Sequence, residues 1–367
     1  GLEMTGRRPD RNFWTGKRVL ITGHTGFKGG WLTIWLNRLG AEVSGISLKP
    51  NTNPNLFELA RINLLCDSHF CDIRNKEAVL PLIKKLQPEV VFHLAAQPLV
   101  RHSYHKPSET FSTNVMGTVH LLDALRSLEC VKVAVMATTD KVYRNKEWQW
   151  PYRENDTLGG HDPYSASKAA SEIVIESYRE SFLAQQGLAL ASARAGNVIG
   201  GGDWSADRLL PDAVRVWQNG DPLEVRRPNA IRPWQHVLEP LTGYIILAEQ
   251  LWTNTDLAGA YNFGPSTQEA ASVREVIELA SASDGGGTAY YSDGYSGPHE
   301  AGFLSLEITK ARHALGFEPR LVLAEAIKIT MNWTGYNYIN NSSFVFYIIV
   351  FVFIFMQLIS SFDEFIK

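Results

Sequence analysis

The feature that most constrains this chain is an alternation of short apolar runs with segments of helical spacing. Lys17 to Gly23 (KRVLITG) is one such run, ending in glycine, and Trp31, Ile34, Trp35 and Leu39 then recur at helical intervals. Glu42 to Ser47, Ser68 to Asp72, Val90 to Ala95, Val131 to Thr138 and Leu188 to Gly196 are further runs of the same kind, again separated by helical patterns. Repetition of strand and helix in this order predicts parallel strands with helices packed on both faces.

The first junction carries glycines at Gly23, Gly26 and Gly29, a GxxGxxG spacing placed between a strand and a helix. A helix N-terminus presents backbone N–H groups and a partial positive charge, and glycine lets a pyrophosphate approach them closely. The spacing is the variant of the Rossmann fingerprint found in short-chain dehydrogenases. The fold class expected is therefore α/β, a Rossmann-type doubly wound parallel sheet, with a smaller mixed α/β C-terminal domain for the substrate. No acidic residue stands at the end of the second run, Ser44 to Lys49, so the preference for NAD over NADP is not written there. Lys49 reads either as a contact for a 2′-phosphate or as a solvated lysine. Asp72 reads either as an acceptor for the adenine amino group, with Ile73 beside the ring, or as the N-cap of a helix over Asn75 to Leu86.

Texture along the chain suggests its divisions. Residues 1–12 are polar, lack an apolar signal-peptide core and read as a disordered leader. Residues 13–200 carry the dinucleotide-binding pattern. After Gly200 the periodicity breaks at Gly201-Gly-Asp203 and at the Pro- and Arg-rich Pro222 to Pro233, so residues 201–333 are expected to be mainly the substrate domain. A segment near 235–265, including Ala260 to Gly264, is expected to return to the main sheet. Lys106 to Ser127, and a helix from Pro163 through Phe182, are candidates for a pair of helices that joins two copies of the chain. Residues 334–367 form an atypical tail whose apolar stretch, Phe344 to Met356, is shorter than the ~20 residues of a spanning helix. Membrane association is not expected.

Net charge is -3 and no Lys/Arg-rich run is present, so nothing marks a nucleic-acid partner. Cys66, Cys71 and Cys130 lack metal-ligand spacing and suit a reduced, cytoplasmic protein; no metal site is expected.

Chemistry is concentrated in two places. In Tyr164-Ser-Ala-Ser-Lys168 the phenol and the amine lie one helical turn apart on the same face. An ammonium there is expected to draw the tyrosine pKa toward neutrality, so that the tyrosine takes a proton from an alcohol as hydride leaves. The fifth run ends in Thr138-Thr139-Asp140-Lys141, at the strand edge where doubly wound sheets hold ligands. Asp140 and Lys141 place an acid and a base side by side, which a plain oxidoreductase does not need.

That stretch resembles the Thr-Asp-Glu of nucleotide-sugar 4,6-dehydratases, within the extended short-chain dehydrogenase/reductases, and Lys141 in place of glutamate resembles the CDP-glucose branch. His24-Thr-Gly-Phe-Lys28, His93-Leu-Ala-Ala-Gln-Pro-Leu-Val-Arg101, Arg194-Ala-Gly-Asn-Val-Ile-Gly-Gly-Gly-Asp-Trp204, Ile231-Arg-Pro-Trp-Gln-His-Val-Leu-Glu-Pro240 and Pro298-His-Glu300 extend the likeness from Phe13 to Trp333. The resemblance implies three steps in one site. Tyr164 accepts the proton of the sugar 4-hydroxyl during oxidation at C4, Lys141 removes the C5 proton while Asp140 protonates the departing 6-hydroxyl, and hydride returns to C6. Thr139 would bond the reacting oxygen. It implies NAD as cofactor, with NADP the alternative, and contacts at Gly23, Thr25, Gly26, Phe27, Lys28, Gly29, Asp72, Ile73, Leu94, Ala95, Ala96, Gln97, Thr113, Tyr164 and Lys168. It also implies a CDP-glucose-like substrate met by Gln97, Arg101, Asn197, Arg208 and Arg232, a homo-oligomer, and a place in deoxysugar biosynthesis for lipopolysaccharide O-antigen.

Arg226, Arg227 and Arg232 also read as one solvated basic loop, and His236 and His299 stay outside the catalytic set. The rival readings are a 4-epimerase or reductase on the same scaffold, a 4,6-dehydratase for a dTDP, GDP or UDP sugar, and a non-catalytic dinucleotide-binding protein.

Overall fold

A computed structural model of the chain describes residues 6–284, 286–292 and 301–339. Pro298 to Glu300, with His299, and the apolar stretch Phe344 to Met356 lie outside the described residues. Among those described, no helix is long and apolar enough to cross a membrane.

Six strands follow the predicted runs closely: β1 (Arg18–Thr22), β2 (Glu42–Ser47), β3 (Asp67–Phe70), β4 (Val90–His93), β5 (Val133–Ala137) and β6 (Ala189–Ala195). The order across the sheet is 3-2-1-4-5-6, and the Ala260–Phe263 strand adds a seventh beside β6, all pairs being parallel. The return of 260–263 to the main sheet was expected from its apolar run, and its register sets Tyr261 opposite Ala193.

Because helices cover both faces, side chains of either parity are buried. In β1, Val19 and Ile21 join a core with Trp31, Leu32, Trp35 and Leu36 of the Phe27–Arg38 helix and with Tyr244, Ile245 and Ala248 of the Leu238–Thr253 helix. Leu20 between them faces the opposite core, with Val79, Ile83, Leu121, Leu125 and Ile175. This is the period-2 alternation of a strand, read by two apolar layers in place of one.

A further core gathers Leu210, Val214, Trp217, Leu223, Val276, Ile277, Ile327 and Met331. It is built from the Leu209–Gln218, Val273–Asp284 and Leu323–Ile339 helices, a parallel pair (Leu223–Val225 with Ala289–Tyr291) and an antiparallel pair (Ile231–Arg232 with Ala271–Ser272).

Three expectations are corrected. The leader is not free from Gly6 onward: Arg7 N donates to Gly316 O at 2.8 Å, Asp10 N donates to the buried Glu249 at 2.8 Å, and the Arg11–Trp14 helix buries Trp14. Backbone donors and one tryptophan hold it, against what its polar composition suggests. The helix over Lys106 to Ser127 is broken into Pro107–Phe111, a π-helical turn Ser112–Met116 and Gly117–Leu125. Within the turn, the Asn114 side chain accepts from Gln97 N at 2.8 Å and donates to Ser167 Oγ at 2.8 Å, so tertiary bonds are made where the regular spiral is widened. Asp72 lies past β3, which stops at Phe70, and the helix beyond (Lys76–Leu86) is capped by Asn75.

At the glycine turn, Gly23 holds φ +82°, and a Cβ on Gly29 would stand 2.1 Å from Gly23 O. Backbone meets backbone there and neither can yield. Gly29→Ala is therefore expected to cost about 3 kcal/mol of stability, read as a lowered urea midpoint with an unchanged slope.

Candidate active site

β1 lies between β2 and β4, so the chain leaves the sheet in opposite directions on its two sides and a crevice opens at the carboxyl ends. The Phe27–Arg38 helix points its N-terminus into this region. Its N-cap is Gly26, and no side chain caps it. Gly23 lies tight against the loop after β4, where a Cβ would meet Ala95 N at 2.8 Å, which brings Leu94 to Ala96 beside the turn. Thr25 is turned to β2: it donates to Leu48 O at 2.9 Å and bonds Ser47 Oγ at 2.7 Å. An uncapped helix start, bare glycine and a side chain drawn aside fit the pyrophosphate of a dinucleotide.

Across the crevice β5 ends and a 3-10 turn follows over Asp140–Val142, with Thr139 as its cap. Asp140 is fully buried; its Oδ1 accepts from Thr139 Oγ1 at 2.9 Å and from Lys141 Nζ at 3.3 Å. Asp140 Oδ2 is buried with no protein partner among the described residues. Asn197 Oδ1, just after β6, is 3.5 Å from Lys141 Nζ.

The facing helix, Pro163–Tyr178, starts where Asp162 accepts from Ser165 N at 2.9 Å and Pro163 fills the first turn. It presents Tyr164 and Lys168 side by side, both buried. Tyr164 is hydrogen-bonded to Thr139, and Lys168 donates to Ala137 O at 3.2 Å.

The ionisation of this pair corrects an expectation. Lys168 does not bring Tyr164 toward neutrality in the free protein. Burial dominates and pushes the phenol up to about 12, while Arg208 and the Thr139 hydrogen bond pull it down. Lys168 is itself pushed down to about 8 by burial, with Glu172 acting against the shift. Desolvation disfavours the charged form of both partners, phenolate and ammonium alike.

Lys28 reaches the same place from the glycine turn. Its Nζ is 3.5 Å from Tyr244 Oη, and its amine is pushed down to about 7 by burial and by Arg208, Lys168 and Lys141, against Asp140. Lys28 thus shares its surroundings with Arg208, Lys168, Lys141 and the buried Asp140. The structure brings these together with Thr139, Tyr164 and Asn197.

Other predicted residues are engaged elsewhere. Asp72 is forked by Arg74, with Nη2 to Oδ2 at 2.6 Å, which holds its carboxyl below the usual range, and Ile73 is buried against Gly117. The Gln97 amide donates to Thr110 Oγ1 and Leu99 O and accepts from Leu99 N, so it braces its own loop. Arg101 pairs with Asp207 at 3.3 Å. Arg232 donates to the carbonyls of Ile231 and Ala301. Thr113 lies in the π-helical turn. Tyr244 and Glu172 were not singled out in the sequence. Glu172 stands four residues after Lys168 on one helix face, a spacing that could have exposed it; nothing marks Tyr244 among the apolar residues of its helix.

A family model described as GDP-mannose 4,6 dehydratase matches residues 20–330. The chain belongs to this family. It is 49% identical over 330 residues to a CDP-glucose 4,6-dehydratase of Salmonella typhimurium, covering 88% of this chain and 92% of the relative. It is 26% identical over 353 residues to a dTDP-glucose 4,6-dehydratase of Xanthomonas campestris, covering 89% and 94%. Among solved structures, the fold is shared with a dTDP-glucose 4,6-dehydratase from Bacillus anthracis in complex with NAD (TM-score 0.71, 22% identity, 88% of this chain and 97% of that one). It is shared as well with a UDP-glucose 4-epimerase from Stenotrophomonas maltophila with bound NAD (TM-score 0.76, 20% identity, 88% and 99%). The CDP-glucose branch, which the motif strings resemble, is also where the 49% relative stands.

Crowded cations leave a signature in stability. The Lys28 pKa falls from 10.5 to about 7 on folding, so the unfolded chain binds more protons between these values and stability rises with pH across that window. Lys28→Met lacks the burden. Compared by urea unfolding, it should be more stable than the parent at and below pH ~7, with the advantage fading toward pH ~10.

Proposed function

We propose that this protein converts CDP-glucose to its 4-keto-6-deoxy form, using NAD held at the glycine turn. The observation that carries the reading is the Asp140–Lys141 pair, set on one turn directly opposite Tyr164 and Lys168. Epimerases and reductases need the second pair and have no use for an adjacent acid and base.

NAD, when bound, supplies a hydride acceptor for C4 and later a donor for C6. The protein's own groups move the protons. Tyr164 Oη accepts the proton of the 4-hydroxyl, with Arg208 favouring the phenolate. Lys168, fixed on Ala137 O, would hold the cofactor's ribose hydroxyls. Once C4 is a ketone the C5 proton is acidic, and Lys141 Nζ, held beside Asp140 and Asn197, removes it. Asp140 holds its unpartnered Oδ2 for the 6-hydroxyl and delivers a proton there as water leaves. Asn197 and Arg208 meet the diphosphate. Arg232, bound to carbonyls, shapes the loop around it.

The reading includes a homo-oligomer joined by the Pro107–Leu125 and Pro163–Leu183 segments, supported by exposed Phe111, Met116, Ile173 and Phe182 along them. The cytoplasm is the compartment proposed, which free Cys66, Cys71 and Cys130 suit. The core of residues 201–333 is read as the nucleotide-sugar domain.

With substrate deuterated at C4, the product is expected to carry the label at C6 without net reduced cofactor. An unlabelled product sinks the dehydratase reading, and faster turnover of a dTDP, UDP or GDP sugar moves the substrate. Lys141→Met should lower solvent exchange at C5 by ~100-fold or more while cofactor affinity stays within about two-fold; unchanged exchange removes Lys141 as the base.

A further inference from the structure

Glu172 is 4% exposed on the Pro163–Tyr178 helix where it packs on the sheet, a place that keeps a polar side chain only against good partners. It has three. Oε1 accepts from Thr138 Oγ1, while Oε2 accepts from Ser192 Oγ at 2.7 Å and from Arg194 Nη2 at 2.8 Å. Arg194 is 3% exposed and its other nitrogen, Nη1, donates to Tyr143 Oη at 3.0 Å and to Glu154 O at 2.9 Å. Tyr143 in turn donates to Asn262 Oδ1 at 2.6 Å, on the seventh strand.

The positions of these ties matter. Thr138 immediately precedes the Thr139-Asp140-Lys141 turn and Tyr143 closes it, so one ion pair grips the turn at its entry and at its exit. Glu172 is also one helical turn beyond Lys168.

We propose that the buried Glu172–Arg194 pair is a clamp that positions the Thr139-Asp140-Lys141 turn against Tyr164 and sets a negative charge behind Lys168. Both are positioning residues: they touch neither Tyr164 nor the acid and base, and act through Thr138, Tyr143 and Lys168. The ~1 Å precision that proton transfer requires is then supplied by a network that spans the catalytic helix, β5, β6 and the seventh strand. Lys168 gives independent support, since burial drives its amine down and Glu172 is the group that opposes this. The charges facing Lys168 include Glu172 on its own helix, Lys28 from the glycine turn and His93 from β4.

The inference rests on the dehydratase reading only for the roles of Asp140 and Lys141; the C4 oxidation step is common to epimerases as well. Thr138→Val and Tyr143→Phe each cut one tie and leave the ion pair whole. Each should lower the single-turnover rate of C4 oxidation and of C5 exchange by ~10- to 100-fold, with KM for the nucleotide sugar within about three-fold, and Thr138→Ser should restore the rate. Glu172→Gln should move the alkaline limb of C4 oxidation to lower pH by about 1 unit, because Lys168 loses its proton earlier without the charge behind it. Amide hydrogen exchange at Lys141 to Tyr143, read without substrate, should quicken by ~10-fold in Thr138→Val and Tyr143→Phe while the Pro163–Tyr178 helix keeps its protection. Parental rates and parental exchange in both variants overturn the clamp. So does an unmoved alkaline limb in a folded Glu172→Gln; if that variant fails to fold, the first two variants decide. A parent that oxidises C4 without releasing water defeats the dehydratase reading and leaves this test intact.

Discussion

Burying a parallel sheet on both faces is the constraint from which the rest follows. Strands such as β5 can carry almost nothing polar along their length, so ionisable groups are displaced to the carboxyl ends, where turns and helix starts meet. Chemistry in this protein therefore sits on three junctions: the glycine turn after β1, the 3-10 turn after β5 and the first turn of the Pro163–Tyr178 helix. β6 and the seventh strand depart from this, the latter through the buried Asn262. Ser192 and Arg194 lie inside β6, fully buried, and are stable there because Glu172 meets both. A polar residue in the middle of such a strand implies a partner brought to it from elsewhere in the fold, as Glu172 is for these two and Tyr143 is for Asn262.

The site is rich in positive charge. Burial draws Lys28 and Lys168 toward neutrality, and for Lys28 the neighbouring Arg208, Lys168 and Lys141 add to the effect. The same surplus suits a diphosphate, whose negative charges would relieve it, and a lysine base, which works only when uncharged.

The sheet was legible because apolar runs and glycine spacing are local signals, and β2 agrees with its run to the residue. The Thr139-Asp140-Lys141 turn was legible as a candidate because acid, base and hydroxyl are contiguous. What could not be read was which partner a given side chain answers to. Asp72 serves Arg74, Gln97 serves its own loop and Arg232 serves two carbonyls, although each residue type suits a ligand equally well. The sign of the Tyr164 shift failed for the same reason: spacing shows that Lys168 is near, but the degree of burial that overrides it is set by the whole fold. Gly6 to Asn12 look unstructured by composition and are held by Glu249, far along the chain.

That last contact bears on how the protein is made. One helix, Leu238–Thr253, accepts Asp10 and Trp14 through Glu249 and the backbone of Arg320 and Leu321 through Glu239. During synthesis Glu249, the acceptor for Asp10 and Trp14, is absent until that helix has left the ribosome, and β6 keeps a bare edge until Ala260–Phe263 follows it. A sheet begun early is thus completed by residues translated late, and the nascent chain depends on its own second half to finish it.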